Sequence, residues 1–485
     1  MIIIVKNHPY RYDMENISTI FFPYEKIKIY ENFCPDDDSV TVITEISGDI
    51  LTVDASVYDK HKTESCTADK NTDRQNALSV LLYNVLSEIL GITYPWGLLY
   101  GVRPARRMHA LTDNFSETDA KRIFKEKYLV NEEKTNLTVS VMHSENKIIA
   151  LSDDRSFSLY VSIPFCPTRC SYCSFVSHSI ENTVKLVDPY VELLIKEIEE
   201  TGKYAKRLGL KLETVYFGGG TPTTLSAEHL TRLFAAVENN FDLSTLREYT
   251  VEAGRPDTVT KEKLLALKAA GISRISINPQ TFNDDVLRII GRQHSAKETI
   301  KAFNLARECG FDNINMDFIA GLPGESIKSF ENSLNKGLEL GAESITVHTL
   351  SFKSGAYMAT REAAFDSSPK KIVANMVDYS NRALTQNGYH PYYMYRQGKS
   401  LGNLENVGWC KEGFDCLYNV FMMDETHTVL SVGAGAVIKL KNQQTGKIER
   451  IYNYKYPYEY IDRFDEILNR KHSINVFYNE YNLEQ

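Results

Sequence analysis

The amino-acid sequence predicts an α/β fold: a partial (β/α)6 barrel of the TIM type, with an N-terminal α+β domain before it and a small C-terminal module after it. Three observations carry this reading. From residue 157 short apolar segments alternate with longer amphipathic ones, the mark of successive βα units feeding a parallel sheet. Residues 1 to about 110 instead alternate in short apolar and polar pieces, which suits a small antiparallel sheet. After residue 388 the chain turns aromatic and glycine-rich. At 485 residues the chain exceeds the length at which one hydrophobic core stops growing, so we place domains at 1–150, 151–387 and 388–485.

The segment Met1-Ile-Ile-Ile-Val-Lys6 reads as a first strand, and Ser39-Val-Thr-Val-Ile-Thr-Glu-Ile-Ser-Gly48 with Ile50-Leu-Thr-Val53 as further ones. Leu78, Leu81, Leu82, Val85, Leu86 and Ile89 recur at helical spacing, which predicts a helix over 75–90 that stops at Gly91. Glycine and proline break the run from Pro95 to Arg107, and a polar helical stretch covers 115–130. The alternation in Leu137-Thr-Val-Ser-Val141 and a charged turn at Asp153-Asp-Arg155 lead into the barrel. Barrel strands are predicted near 158–163, 213–217, 248–252, 273–277, 313–319 and 343–349. Helices fall between them near 188–208, 226–239, 260–270, 295–308 and 326–340, with one more near 370–387. In such sheets the loops at the C-terminal ends of the strands carry the site.

Composition narrows the function classes. Hydrophobic residues make up 43% and charged residues 24%, ordinary globular usage that argues against disorder. The net charge of −8 comes without a clustered basic excess, so no nucleic-acid partner is expected. The first apolar run is too short for a signal peptide and no stretch reaches the ~18 apolar residues of a membrane span, so a cytoplasmic protein is expected.

Of eight cysteines, three lie together: Cys166, Cys170 and Cys173, in Ile163-Pro-Phe-Cys-Pro-Thr-Arg-Cys-Ser-Tyr-Cys-Ser-Phe175 just after the first barrel strand. Three thiolates can hold three irons of a 4Fe–4S cube and leave the fourth iron open to a small ligand, whereas four cysteines would close every iron. A zinc site and chance clustering compete with this reading. Structural zinc usually takes four ligands in paired arrangements, and no second pair lies nearby. The remaining Cys34, Cys66, Cys309, Cys410 and Cys416 are scattered and read as structural, although Cys410 and Cys416, six apart, are able to add a ligand. At the end of the second strand, Val215-Tyr-Phe-Gly-Gly-Gly-Thr-Pro-Thr223 offers backbone groups that a ligand can approach without side-chain interference, with Gly219, Gly220 and Thr221 as the binding residues. Taken alone, such a glycine run is equally a tight βα turn.

Cysteine spacing, glycine loop and six βα units together resemble the radical S-adenosylmethionine (SAM) superfamily. Ile163-Pro-Phe-Cys166, Gly218-Gly-Gly-Thr-Pro-Thr223 and Gly321-Leu-Pro-Gly-Glu325 resemble its oxygen-independent coproporphyrinogen III oxidase group over residues 155 to 440, and the flanking segments its HemZ branch, called coproporphyrinogen dehydrogenase. The resemblance implies a 4Fe–4S cluster whose open iron is chelated by SAM, and one-electron cleavage of SAM to methionine and a 5′-deoxyadenosyl radical. It implies further that Glu252 meets the methionine end of SAM, that Gln280 and Asp317 bond its ribose, and that Arg292 holds its carboxylate. Tyr160, six residues before the first cysteine, matches a tyrosine near the sulfonium and is the catalytic candidate.

The implied reaction converts two propionates of coproporphyrinogen III to the vinyl groups of protoporphyrinogen IX, with an electron donor and an acceptor that the sequence does not name. Alternatives are a heme-trafficking chaperone of the same superfamily and another radical reaction on a tetrapyrrole. Propionates want cations, for which Arg103, Arg106, Arg107, Arg155, Arg255, Arg396 and Lys399 are candidates, and Tyr389, Tyr392, Tyr393 and Tyr395 are able to pack on a flat macrocycle or simply form core. Two departures matter. The best-known oxidases carry a fourth cysteine where this chain has Phe175, as the chaperone branch does; yet that branch has a histidine–asparagine pair where this chain has Tyr418-Asn-Val-Phe-Met-Met423.

Overall fold

A computed structural model describes residues 1–480 apart from 24, 34–37, 70, 101–102, 174–177, 352–366 and 399, so Cys34, Phe175 and Lys399 lie outside the described residues. The chain divides into two compact units, Met1–Met142 with Ala359–Ala374 and Met394–Glu405, and His143–Met358 with Asn375–Tyr393 and Asn406–Gln485.

In the first unit β1 (Ile2–Lys6), β2 (Lys28–Glu31), β3 (Val40–Ser47), β4 (Ile50–Val57) and β5 (Lys60–Thr67) form a sheet of order β2-β1-β3-β4-β5. Only the β3–β4–β5 meander is antiparallel; β1 runs parallel to both neighbours. Helix Arg74–Leu90 buries Leu78, Leu82, Val85 and Leu86 in the core built on this sheet. Its start is capped by the Asp73 carboxylate, which accepts from the Asn76 N–H, and its end by Gly91 at φ 65°.

In the second unit the strands are β6 (Ser156–Ile163), the short pair β7 (Phe165–Cys166) and β8 (His178–Ser179), then β9 (Lys211–Gly219), β10 (Glu248–Glu252), β11 (Arg274–Ser276), β12 (Ile314–Ala320) and β13 (Ser344–Thr349). They are joined by β14 (His390–Arg396) and β15 (Glu405–Cys410), of which Met394–Arg396 and Glu405 are counted with the first unit, and by β16 (Thr428–Val432), β17 (Val437–Lys441) and β18 (Ile448–Tyr452). Among the described residues the large sheet has eleven strands in the order β14-β15-β13-β12-β11-β10-β9-β6-β16-β17-β18. The six expected parallel strands are all present, in sequence order β6-β9-β10-β11-β12-β13. A seventh, β16, adds parallel to β6 on the outer side. Residues after 388 thus supply strands at both ends of the sheet.

The register divides these strands into two chemically distinct faces, because alternate side chains point to opposite sides. Tyr160 lies opposite Tyr216, Tyr216 opposite Thr250, Thr250 opposite Arg274, and Asp317 opposite Thr346. The other face carries Val161, Phe217, Val251, Ile275, Phe318 and Val347, all buried. Helices cover that apolar face. Phe234 of helix Ala227–Asn240 meets Phe217 edge-on at 5.3 Å, and Gly337 of helix Ile327–Leu340 sits so close to Phe318 that a Cβ there would lie 2.8 Å from its ring. Parallel strands covered on both faces usually read as continuous apolar runs. Here the inner face is polar, which leaves it for a polar ligand rather than for core.

One expected element differs. The alternation at 137–141 lies inside helix Glu132–Ile149, not in a strand. The Thr138 hydroxyl donates back to the Lys134 carbonyl at 2.7 Å, as that of Thr135 does to Asn131 at 2.8 Å, so a polar residue of the alternation is absorbed within the helix. Among the described residues no helix is long and apolar enough to cross a membrane.

Candidate functional site

The cysteine loop grows out of the end of β6 and is held from three sides. Cys166 closes β7, Cys170 is buried, and the Cys173 N–H donates to the Cys170 carbonyl at 3.2 Å, so a tight backbone turn joins the last two cysteines. The glycine loop after β9 zips onto the segment before Cys166: Gly220 N–H donates to Ile163 O at 2.7 Å and Thr221 N–H to Phe165 O at 2.8 Å. A Cβ on Gly220 would stand 2.6 Å from the Phe165 oxygen, so only glycine permits this approach. Thr221 Oγ1 then lies 3.5 Å from Cys166 Sγ. Gly219 carries φ +108°, and its N–H faces the Glu252 carboxylate.

Arg255 supports the loop from the β10 side. Its guanidinium binds Asp257 through two nitrogens at 3.0 Å, donates to the Thr168 carbonyl and hydroxyl at 3.2 and 3.1 Å, and reaches Cys170 Sγ at 3.8 Å. Expected as a candidate for propionates, Arg255 is instead buried structure beside the cysteines. Arg292 is buried against the same sulfur and Tyr172, with Nη1 donating to the Asn278 carbonyl at 2.6 Å; its Nε has no partner. Two guanidinium charges beside Cys170 suit sulfurs that ligate as thiolates.

At the open end of the inner face stand Tyr160, Tyr216, Glu252, Asp317 and His348, each partly exposed. Tyr216 donates to Glu252 Oε1 at 2.7 Å. Burial pushes the Glu252 carboxyl up to about 7 against the pull of that hydrogen bond, and the charge of Asp317 adds to the push. Burial works the same way on Asp317, yet His348, 3.9 Å away, and the Asn315 amide at 2.8 Å hold it below the usual carboxylate value. Two neighbouring carboxyls are therefore set apart, one shared between its two forms at neutral pH and one ionised. Gln280 sits at φ +65°, its N–H donating to the Asp317 carbonyl at 2.9 Å, which ties the loop after β11 to β12. Burial and the Glu252 charge raise the Tyr160 phenol.

Tyr216, Tyr418 and His348 are not among the site residues expected from sequence. Tyr418 stacks on Tyr216 at 4.4 Å and on Tyr160 at 5.9 Å, closing a three-ring stack over the inner face. Its helix, Leu417–Asp424, is anchored on Glu248, whose carboxylate accepts from the Leu417 N–H at 2.7 Å and the Tyr418 N–H at 3.4 Å. Two of the three carry a sequence signal: Tyr216 precedes Gly218 by the strand period, and His348 is the last residue but one of an expected strand.

The other expected substrate contacts are divided between the two units. Arg396 is buried, donating to the Leu99 and Asn403 carbonyls and lying 5.0 Å over the Trp96 ring. Arg155 stands at the start of β6, the end away from the cysteines. Arg103, Arg106 and Arg107 belong to the first unit, at the start of helix Pro104–Thr112. Tyr389, Tyr392 and Tyr393 are buried core, Tyr393 resting where a Cβ on Gly408 would be 1.9 Å from its ring, and Tyr395 is half-buried on β14.

A sequence profile described as the Radical SAM superfamily matches residues 160–336. The chain is 38% identical over 444 residues, 90% of its length and 87% of the relative's, to the oxygen-independent coproporphyrinogen-III oxidase-like protein HemZ of Bacillus subtilis. It is also 38% identical over 238 residues, 48% of its length and 62% of the relative's, to the heme chaperone HemW of the same organism. Among solved structures, the coproporphyrinogen III oxidase HemN of Escherichia coli matches with a TM-score of 0.52 at 24% identity, covering 67% of this chain and 72% of that one.

Proposed function

Because this chain belongs to the radical SAM superfamily, and within it to the HemZ branch of the oxygen-independent coproporphyrinogen III oxidase group, we propose that it oxidatively decarboxylates coproporphyrinogen III to protoporphyrinogen IX. The family's cofactors are a 4Fe–4S cluster and SAM. Their fit rests on three thiols in one tight loop, none of them in a disulfide, two buried guanidinium groups beside them, and a buried Arg292 Nε and Asn278 Oδ1 left without partners. Bound together, cluster and SAM supply a 5′-deoxyadenosyl radical able to remove a hydrogen atom from an unactivated carbon. Each propionate then loses one β-hydrogen atom, carbon dioxide and one electron to become a vinyl group, so an electron acceptor is needed besides the donor that reduces the cluster.

The chain's own residues bind and orient. Cys166, Cys170 and Cys173 hold the cluster, and Gly219, Gly220 and Thr221 fix the loop against Cys166. Glu252 takes the ammonium of SAM, whose charge would bring the carboxyl fully into its ionised form. Asp317 and Gln280, joined through the backbone, bind the ribose hydroxyls. Arg292 turns its partnerless Nε to the carboxylate, and Tyr160, stacked under Tyr418, shields the reacting end from water. The placement is cytoplasmic, where thiols stay reduced.

The observation that carries the enzyme reading over the chaperone is Tyr418. By the resemblance it stands where the chaperone branch has its histidine, and its ring is buried and stacked on Tyr216 over the inner face. The likeness to HemW over part of the chain keeps heme binding as the second reading. Anaerobic incubation of the reconstituted protein with coproporphyrinogen III and SAM decides between them. Protoporphyrinogen with methionine and 5′-deoxyadenosine is expected; stoichiometric heme binding without turnover would overturn the enzyme reading.

A further inference from the structure

The end of the large sheet away from the cysteine loop carries a second group of ligand-type side chains that the proposed reaction leaves unused. Cys410 ends β15 opposite Ser344, the first residue of β13, and so lies at the N-terminal end of the parallel strands. His390 opens the neighbouring strand β14, and Asp415 follows Cys410 by one turn of loop. We infer that His390, Cys410 and Asp415 form a binding site for one divalent transition-metal ion of the zinc class.

The geometry is that of a ligand set drawn together on one point. His390 Nε2 lies 3.1 Å from Asp415 Oδ1 and 3.5 Å from Cys410 Sγ, and the three ligand atoms are all within 4.8 Å of one another. Metal–ligand lengths of about 2.0–2.3 Å in a tetrahedron set neighbouring ligand atoms about 3.3–3.8 Å apart. Little movement separates the two arrangements. The ligand types also agree: imidazole, thiolate and carboxylate together suit zinc and its neighbours better than magnesium or calcium, which take oxygen alone. Three protein ligands leave one position for water.

Two further observations favour an ion over a plain hydrogen-bonded triad. The second ring nitrogen of His390, Nδ1, faces the Glu412 carboxylate at 3.9 Å, and metal-bound imidazoles commonly donate their other N–H to a carboxylate. The Cys410 side chain is fully buried, and its sulfur faces both the His390 imidazole, at 3.5 Å, and the Asp415 carboxylate. The loop that carries two of the ligands, Cys410-Lys-Glu-Gly-Phe-Asp415, turns on Gly413 at φ +84° and runs directly into Cys416, Leu417 and Tyr418. A metal at this point would therefore clamp the loop that presents Tyr418 to the inner face, a positioning role at a distance from the cluster.

The test uses the full chain and needs no turnover. In a Cys166→Ala/Cys170→Ala/Cys173→Ala variant, which lacks the cluster ligands, anaerobic titration with cobalt(II) should load one ion per chain, with the absorption of a thiolate–cobalt bond, and zinc should displace it. Cys410→Ser should abolish that absorption, and Asp415→Asn should weaken binding by about tenfold or more. Metal analysis of the wild-type protein covers the case in which the triple variant does not fold: about one zinc per chain is expected, lost in Cys410→Ser while iron is retained. Absence of cobalt absorption in the folded triple variant together with zinc-free wild-type protein would overturn the site. So would an absorption that survives Cys410→Ser and disappears in Cys416→Ser.

Discussion

Tyr418 stacks on Tyr216 with ring centroids 4.4 Å apart and planes inclined by 24°, and the same Tyr216 donates its hydroxyl to Glu252. A helix that begins at Leu417 is thereby coupled through one ring to the carboxyl proposed to bind the SAM ammonium. Tyr216→Phe keeps the ring and removes the donor. A hydrogen bond to a charged group contributes about 1.5–3 kcal/mol, so SAM affinity at neutral pH should fall by about tenfold or more in calorimetric titration. Tyr418→Leu spares the hydrogen bond and loses the stack. Its cost should appear as about 0.5–1.5 kcal/mol of stability beyond the lost area, with a smaller change in SAM affinity.

The raised Glu252 carboxyl has a definite pH signature. An unfolded chain gives up this proton near the ordinary glutamate value of 4.5, while the folded protein keeps it until about 7. Between those values the folded state binds the extra proton, so its stability falls as pH rises through the window and stays low above it. Glu252→Gln removes this loss. The variant should gain on the wild-type protein in urea unfolding of the cofactor-free form as pH goes from 5 to about 8. SAM binding should run the other way, tightening above about pH 7 in the wild-type protein and remaining weak and flat in the variant. A wild-type affinity that does not change across this range would remove Glu252 from the proposed contact.

Arg255 bridges Thr168, Asp257 and Cys170 from a buried position. Arg255→Met should leave the three thiols in place but loosen the loop and strip a positive charge from beside Cys170. Iron and sulfide content after reconstitution should drop to a fraction of wild type, in contrast to Cys170→Ala, which should assemble no cluster and cleave no SAM. Full iron content in Arg255→Met would show that the guanidinium only packs.

Much of this is legible in the sequence because strand positions follow from apolar runs and turns. The six strands expected near 158–163, 213–217, 248–252, 273–277, 313–319 and 343–349 match Ser156–Ile163, Lys211–Gly219, Glu248–Glu252, Arg274–Ser276, Ile314–Ala320 and Ser344–Thr349. What sequence does not disclose is pairing over long separation along the chain. β16 joins β6 across more than 250 residues, and nothing local in Thr428-Val-Leu-Ser-Val432 announces that partner. Tyr418 is hidden for the same reason: its placement depends on Glu248, 170 residues earlier in the chain. Arg255 misleads because a guanidinium at a strand end has the same local pattern whether it faces substrate or is buried beside a cysteine.

Glu197 and Lys471 make a buried ion pair at 3.0 Å, with Tyr460 and Asn453 also bonded to the carboxylate. Lys471→Met leaves that charge without its counterion. The expected cost is about 3–5 kcal/mol, read by urea unfolding, whereas Glu197→Leu with Lys471→Met should recover part of it, since removal of both charges avoids their desolvation.

Gly220 provides the sharpest separation of structure from site. Its φ lies in an ordinary region, so a side chain is excluded by space alone: a Cβ would stand 2.6 Å from the Phe165 carbonyl oxygen and 2.9 Å from that of Ile163. Neither backbone oxygen can move without shifting the segment that carries Cys166. Gly220→Ala should therefore break the 2.7 Å bond from Gly220 N–H to Ile163 O and, with it, the register of Thr221 against Cys166. About 1–3 kcal/mol of stability should be lost to overpacking, and iron occupancy should fall with it. Gly271→Ala is the matching control. It sits at φ +75° after helix Lys261–Ala269 with nothing within 4 Å of where its methyl group would lie, so its cost of about 1 kcal/mol arises from backbone conformation and should leave iron content unchanged. Equal iron loss in the two variants would mean that the cluster responds to global stability, and the proposed contact between the glycine loop and Cys166 would carry no special role.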